Sequence, residues 1–242
     1  RRAPPGAAGR REGVEAMNVL IVGAGPAGLY LAYLLARQSP HWALRVVEQN
    51  APDSTFGFGV VFSARALEFL REDDPETCEL LTAAMQQWSD LTVNHRGQSI
   101  VIDGIGFAAI GRLRLLQLLR ERLATVGVRP RYDLAVNDAR ELEGCDLVVG
   151  ADGVNSFVRR GREAEFGTCV EPLDNRFVWY GTTRPFDTLS QTFVQTEAGS
   201  FNAHHYRYAS GASTFIVECD APTWQRAGFA AMDEAATKAV CE

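Results

Sequence analysis

The turn that follows the first apolar run limits the fold more than any other feature of this chain. Met17-Asn18-Val19-Leu20-Ile21-Val22 is a short hydrophobic segment that closes on Gly23-Ala24-Gly25-Pro26-Ala27-Gly28. An unbroken apolar run ending in glycines reads as a buried parallel strand. Pro26 at the head of a helically periodic stretch to Gln38 reads as a helix start. Leu44-Arg45-Val46-Val47-Glu48 supplies a second strand, so one βαβ unit is complete within about 34 residues of Met17.

A Gly-x-Gly-x-x-Gly string between a strand and a helix is the fingerprint of a dinucleotide site. Gly23 permits the tight turn, Gly25 lets the backbone approach a pyrophosphate, and Gly28 lets helix and strand pack closely. The pyrophosphate belongs at the helix N-terminus, where N–H groups and the dipole favour an anion. Glu48, twenty residues after Gly28, is placed to accept both hydroxyls of an adenosine ribose and to repel a 2′-phosphate. Gly23, Gly25, Pro26, Ala27, Gly28, Glu48 and Gln49 are therefore the expected cofactor-binding set. The bland alternative is a glycine turn beside a surface glutamate, which leaves the coincidence of strand, helix and acid unexplained. To this point NAD and FAD are equally allowed.

Further along, residues 51–63 read as a Gly-rich loop, with helical stretches at 64–70 and 75–88. Segments 91–93 and 99–102 read as a hairpin turning at Gly97. Residues 113–126 form an amphipathic helix, 128–132 a strand, and Asp146-Leu147-Val148-Val149-Gly150 another buried strand. From Arg176 the pattern changes to β-branched and aromatic segments at 176–184, 191–196, 201–208 and 213–219, as in an antiparallel sheet. Residues 232–240 read as a helix. His204 and His205 are consecutive in a strand, so they point to opposite faces and only one can face a given pocket. A packed or solvated strand histidine is the simpler reading. Trp42, Trp88, Trp179 and Trp224 read as core or edge aromatics.

With 242 residues, 46% of them hydrophobic, the chain can bury one large core or two small ones. Cys78, Cys145, Cys169, Cys219 and Cys241 are scattered, odd in number and without a Cys-x-x-Cys pair. This argues against a disulfide scaffold and against a zinc site, and makes the cytoplasm the expected compartment. No apolar run approaches the roughly 20 residues that span a bilayer, and residues 1–16 carry arginines without the apolar core of a signal peptide. Setting aside their four Arg and two Glu leaves 20 basic against 28 acidic side chains, a net charge of −8. Nucleic acid is not an expected partner of so acidic a chain.

Asp146 to Arg159 carries Asp152-Gly153 directly after a predicted strand, and it resembles the Asp-Gly fingerprint of the single-component FAD-dependent aromatic hydroxylases, the flavoprotein monooxygenases. Arg112, with Leu115, Leu116 and Leu119 behind it, resembles that family's helix whose leading arginine reaches the FAD. Thr55-Phe56-Gly57-Phe58-Gly59-Val60-Val61-Phe62-Ser63, Ile110-Gly111-Arg112, Phe177 to Thr182 and Ser213 to Glu218 extend the similarity from Met17 to the end. They are similar to the branch that hydroxylates aromatic CoA thioesters such as salicylyl-CoA or 2-aminobenzoyl-CoA, with violacein-pathway hydroxylases more distant. In two respects the chain departs from that pattern. Phe58 stands where the branch carries Trp, and the Gly-Asp dipeptide that follows the substrate sheet in the family occurs nowhere in this sequence.

The resemblance implies an α/β fold: a Rossmann-like FAD-binding domain with a parallel sheet, plus the start of an antiparallel-sheet substrate domain. The expected layout is a basic extension or linker at 1–16 and the FAD-binding domain at 17–170, with the hairpin at about 91–102 serving the substrate side. Residues 171–242 form the first, incomplete part of the substrate domain. It implies FAD as cofactor, NADH or NADPH as co-substrate, and O₂ and an aromatic small molecule as partners, with homo-oligomers left open. Arg112, Asp152 and Gly153 would lie at the FAD, and Phe58, Gly59, Val60 and Val61 at the flavin or substrate edge. No side chain is named as acid or base. Two rival readings are a flavin-linked oxidoreductase without oxygen insertion and an FAD-binding fragment without activity. The missing Gly-Asp segment makes inactivity the expectation for residues 1–242 alone.

Overall fold

The computed structural model describes residues 16–241, so the extension expected at 1–16 falls almost wholly outside the described residues. The chain forms two compact units, one holding the residues up to Asn50 with Leu123–Glu163, the other Ala51–Arg122 with the residues from Ala164. The chain crosses between them after Asn50, Arg122 and Glu163.

The first unit opens with β1 (Asn18–Val22), α1 (Pro26–Gln38) and β2 (Ala43–Val47). The second then takes β3 (Gly59–Ser63), α2 (Ala64–Asp73), α3 (Pro75–Thr82), β4 (Gln86–Trp88), β5 (Leu91–His95), β6 (Gln98–Ile102) and β7 (Phe107–Gly111). Helix α4 (Arg112–Thr125) follows, and β8 (Leu147–Gly150) and α5 (Phe157–Arg160) belong to the first unit. After α6 (Glu163–Phe166) the second unit continues with β9 (Arg176–Thr182), β10 (Leu189–Gln195), β11 (Ser200–Ala209), β12 (Ala212–Cys219), α7 (Ala221–Arg226) and α8 (Glu234–Cys241). Among the described residues no helix is long and apolar enough to cross a membrane.

In the first unit β1 lies between β2 and β8 in a parallel sheet, and Val19, Leu20 and Ile21 are buried. The strand expected at 128–132 reduces to one bridge, Arg131 to Val47. Pro130 has no N–H to extend a ladder, and Asp133, at φ 54°, turns the chain away.

The second unit holds a six-stranded sheet in the order β6-β5-β10-β11-β12-β9. Its pairings are antiparallel except that of β5 with β10, which is parallel. The hairpin near 91–102 thus belongs to the same sheet as the strands after Arg176. A smaller antiparallel sheet runs β3-β7-β4, and here two expectations are corrected. Residues 51–63 are loop only as far as Phe58, because Val60 to Phe62 find apolar partners in Ala108 to Ile110. The helix expected to reach Trp88 ends at Thr82, whose hydroxyl donates back to the Cys78 carbonyl at 2.8 Å. Gln86–Trp88 pairs with β7, and the Trp88 ring meets Tyr206 edge-on at 6.4 Å.

Strand β11 ties the two sheets together. Tyr206 Oη donates to the Gly59 carbonyl at 2.9 Å, and the Gly59 N–H donates to Thr214 Oγ1 at 3.1 Å. Trp88, Ala109 and Tyr206 form the core there, with Val61, Phe107, Leu189 and Tyr208 around them. By strand alternation Asn202, His204, Tyr206 and Tyr208 share this face, and Ala203 and His205 the opposite one. At the sheet's edge Ile100, Val101 and Ile102 of β6 are 58%, 60% and 42% exposed.

His205 is buried between the rings of Phe186 (4.1 Å between centroids) and Phe215 (5.4 Å), with Nε2 3.2 Å from Thr192 Oγ1 and Nδ1 lacking a partner. Burial, with the nearby Arg184 and His204 charges adding to it, pushes its pKa down to about 4. In an unfolded chain it titrates near 6.5. Above that pH both states are neutral and the native fold keeps its full stability. Between 6.5 and 4 the unfolded chain takes up a proton that the native imidazole refuses, so stability falls with pH, by up to about 3 kcal/mol. Urea melts from pH 7 to pH 4.5 should show this decline, and His205→Gln should flatten it. An equally steep decline in the variant would assign it to other groups.

Candidate functional site

Two places carry candidate chemistry, one in each unit. In the first unit the glycine turn closes the end of β1. Gly23 sits at φ 105°, and a Cβ there would lie 2.3 Å from the Ala151 carbonyl oxygen, while a Cβ on Gly28 would lie 1.9 Å from the Gly23 carbonyl oxygen. Both glycines are therefore required by the protein itself. Gly25 is different: its φ of −71° suits any residue, and no heavy atom lies within 4 Å of its Cβ position. Gly25 is also the N-cap of α1, with Pro26 in the first turn, no capping side chain and no acidic residue there. The first turn of α1 supplies no anion to the positive end of the helix. Ala27 is exposed beside it.

Glu48 faces this turn. Its Oε2 accepts from the Ala24 N–H at 2.9 Å, and its Oε1 accepts from the Asn50 N–H at 2.9 Å and from Asn50 Nδ2 at 2.7 Å. Three donors fix the carboxylate and leave it lone pairs for further hydroxyls. Gln49 is exposed. Asp152 turns inward: Oδ1 accepts from Ser156 Oγ at 2.5 Å and Oδ2 from the Phe157 N–H at 2.6 Å, so the carboxylate caps the start of α5. Gly153 follows, exposed at φ 82°. The structure thus gathers Gly23, Gly28, Glu48 and Ala151 at the end of β1, and gives Asp152 the task of shaping the chain around Ala151.

In the second unit the loop before β3 and strand β9 exchange rings for glycines. A Cβ on Gly57 would lie 2.3 Å from the Trp179 ring, one on Gly181 2.6 Å from the Phe58 ring, and one on Gly59 2.7 Å from Tyr208. Phe58 and Trp179 meet edge-on at 6.3 Å, and Phe58 is 38% exposed. Val60 and Val61 lie in β3 opposite Ile110 and Ala109. The backbone N–H of Arg112 donates to the Phe58 carbonyl at 2.7 Å, so the start of α4 is anchored to the same loop. The sequence singles out neither Tyr208 nor Thr214, and Trp179 reads from it as a core or edge aromatic. The available signal was the set of glycines flanked by rings in Phe56 to Gly59 and Trp179 to Gly181. On the Tyr206 face, burial lowers the His204 pKa below its usual value, with the Glu218 charge opposing.

Residues 18–164 match the family model described as "Lycopene cyclase protein", a span that contains every candidate residue of the first unit. The salicyloyl-CoA 5-hydroxylase of a Streptomyces species is 44% identical over 221 residues, 90% of this chain and 42% of that protein. The 3-hydroxy-4-methyl-anthranilyl-(aryl-carrier protein) 5-monooxygenase of Streptosporangium sibiricum is 36% identical over 204 residues, 84% of this chain and 57% of that protein. The chain therefore spans about half the length of these relatives. Among solved structures, P. aeruginosa PqsL in complex with 2-aminobenzoylacetate shares the fold with a TM-score of 0.66 at 22% identity, over 85% of this chain and 61% of PqsL.

The glycines of the turn separate by experiment. Gly28→Ala should destabilise the protein by about 3 kcal/mol or more, because main chain must move to admit the methyl group. Gly25→Ala should cost about 1 kcal/mol or less, the scale of an altered N-cap. Thermal melts of the two variants check this, and equal losses would contradict the geometry.

Proposed function

The chain belongs to the FAD-dependent aromatic monooxygenases, its residues 18–164 fitting the lycopene cyclase protein family as well, and on that footing we propose that it is the FAD-binding part and first substrate-facing sheet of an enzyme that hydroxylates an aromatic acyl thioester. The observation that carries the cofactor assignment is the open space at Gly25. Neither its dihedrals nor its protein neighbours call for a glycine, so the close approach of a ligand accounts for it. The pyrophosphate would rest on the N-terminus of α1, and Glu48 would take the ribose hydroxyls with its remaining lone pairs. Gly23, Pro26, Ala27, Gly28 and Gln49 frame that site, and Asp152 with Gly153 positions the Ala151 carbonyl against Gly23. Arg112 is assigned to the FAD, and Phe58 to Val61 to the flavin or substrate edge, on the family resemblance.

Bound FAD supplies the redox chemistry, taking electrons from NADH or NADPH and activating O₂ for transfer to an electron-rich ring. The chain's own part is to bind, orient and keep water out. An aromatic acyl thioester is supported by the names of two relatives, one acting on a CoA ester and the other on a carrier-protein ester. The net charge of −8 outside residues 1–16 gives CoA phosphates no general attraction, so a local cationic cluster would hold them.

Glu48→Ala should weaken FAD binding by about 1–3 kcal/mol, roughly 5- to 150-fold in Kd, in flavin-fluorescence titrations. Undiminished flavin content after dialysis would count against Glu48. For the substrate, NAD(P)H oxidation by the full-length enzyme should be stimulated more by salicylyl-CoA or 2-aminobenzoyl-CoA than by the free acids. Equal stimulation by the acids would remove the thioester, and NAD(P)H consumption without oxygen in the product would favour a flavin-linked oxidoreductase.

A further inference from the structure

A glutamate side chain turns freely about its single bonds, so Glu48 serves a ribose well only if its carboxylate is already held still when the ligand arrives. The hydrogen bonds around it show what holds it. Oε2 accepts from the Ala24 N–H at 2.9 Å, which aims that oxygen at the glycine turn. Asn50 gives Oε1 two donors, its main-chain N–H at 2.9 Å and its side-chain Nδ2 at 2.7 Å. Asn50 is anchored in turn, since its carbonyl accepts from the Asp133 N–H at 3.3 Å. The same segment grips the main chain of Glu48 on both sides, its N–H donating to the Arg131 carbonyl at 2.8 Å and its carbonyl accepting from the Leu134 N–H at 2.9 Å. Residues 131–134 thus hold Asn50, Asn50 holds the Glu48 carboxylate, and Glu48 holds the turn at Ala24.

Resting on the FAD site proposed above, we propose that Asn50 is a positioning residue for the cofactor, whose Nδ2 locks the Glu48 carboxylate in the orientation that receives the ribose. It acts on the ribose through Glu48. An amide is suited to that place because it gives Oε1 a donor without adding charge, whereas a carboxylate there would repel Glu48 and a methyl group would leave it one bond short. The main-chain N–H of Asn50 survives any substitution, so the side-chain bond is the part that selection can tune. Arg131 and Asp133, both exposed, are the other charged residues on the segment bonded to this pair.

FAD binding to the chain, followed by flavin fluorescence, tests the assignment. Asn50→Ala should raise the Kd about tenfold, the scale for losing one hydrogen bond to a charged group. Added to Glu48→Ala it should cost nothing more, the double variant staying within about twofold of Glu48→Ala, because no carboxylate is left to position. Asn50→Asp keeps the shape and removes the donor. At pH 8 it should bind about tenfold or more weakly than the unaltered chain, and at pH 5 it should recover to within about threefold, as one carboxyl of the facing pair takes up a proton and restores an O–H donor. A merely damaged fold would not recover in acid. If Asn50→Ala does not fold, the pH profile of Asn50→Asp decides. Unaltered binding in either single variant of Asn50, additive losses in the double variant, or an Asn50→Asp deficit that persists at pH 5 would each overturn the positioning role while leaving Glu48 in place. Full FAD binding by Glu48→Ala would instead sink the site proposed above, and the role of Asn50 with it.

Discussion

Main chain against main chain at Gly23 and Ala151 is the constraint on which the first unit rests. Because β1 is central, its end must turn without striking the strand on either side. The Gly23 N–H reaches the Val47 carbonyl at 2.8 Å, and the Ala151 N–H reaches the Val22 carbonyl at 2.7 Å. Glu48 then ties the end of β2 to Ala24. Three segments distant in sequence converge where only backbone and one carboxylate fit. The uncapped start of α1 and the gap at Gly25 are what that closure leaves behind, so the anion site follows from how the sheet must end.

The second unit solves a comparable problem with rings in place of carboxylates. Phe58 covers Gly181 while Trp179 covers Gly57, so each segment supplies one ring and one gap. Neither half can change alone without a clash or a void. The reciprocity holds the 57–59 loop at fixed height over β9 and β11, and it sets how much of Phe58 stays open.

The sequence revealed what is local. The βαβ unit, the 91–102 hairpin, a strand at Leu147–Gly150 and the aromatic strands after Arg176 are all carried by nearby periodicity and turn residues, and the structure contains each, although Leu147–Gly150, expected to be buried, is an edge strand with its residues exposed or half-buried. It hid what depends on distant partners. Nothing near Gly59 or Gln86 announces β7 as their neighbour, and nothing near Leu91 announces β10. Pro130, by contrast, was a legible warning against a strand at 128–132. In the site, glycine spacing and Glu48 could be read directly. The inward turn of the Asp152 carboxylate could not, because Ser156 competes for it only once α5 has formed. Alternation said that His204 and His205 part company, but only Phe186, Phe215 and Tyr206 decide which of them is walled in.

The parallel pairing of β5 with β10 has a kinetic consequence. Leu91 and Leu189, neighbours in that pairing, are 98 residues apart in the chain. The β5-β6 hairpin closes in microseconds, whereas its other strand partner, β10, leaves the ribosome about 5–20 s later at ordinary synthesis rates. A sheet built from contacts so remote is slow to assemble, because chain entropy is lost before the pairing returns any stability. The first unit waits in the same way, since β1 is made near residue 20 and β8 only near residue 150. Through that interval the edge of β5 that β10 will pair stands open, and the yield of folded protein depends on how quickly synthesis, or a chaperone, covers it.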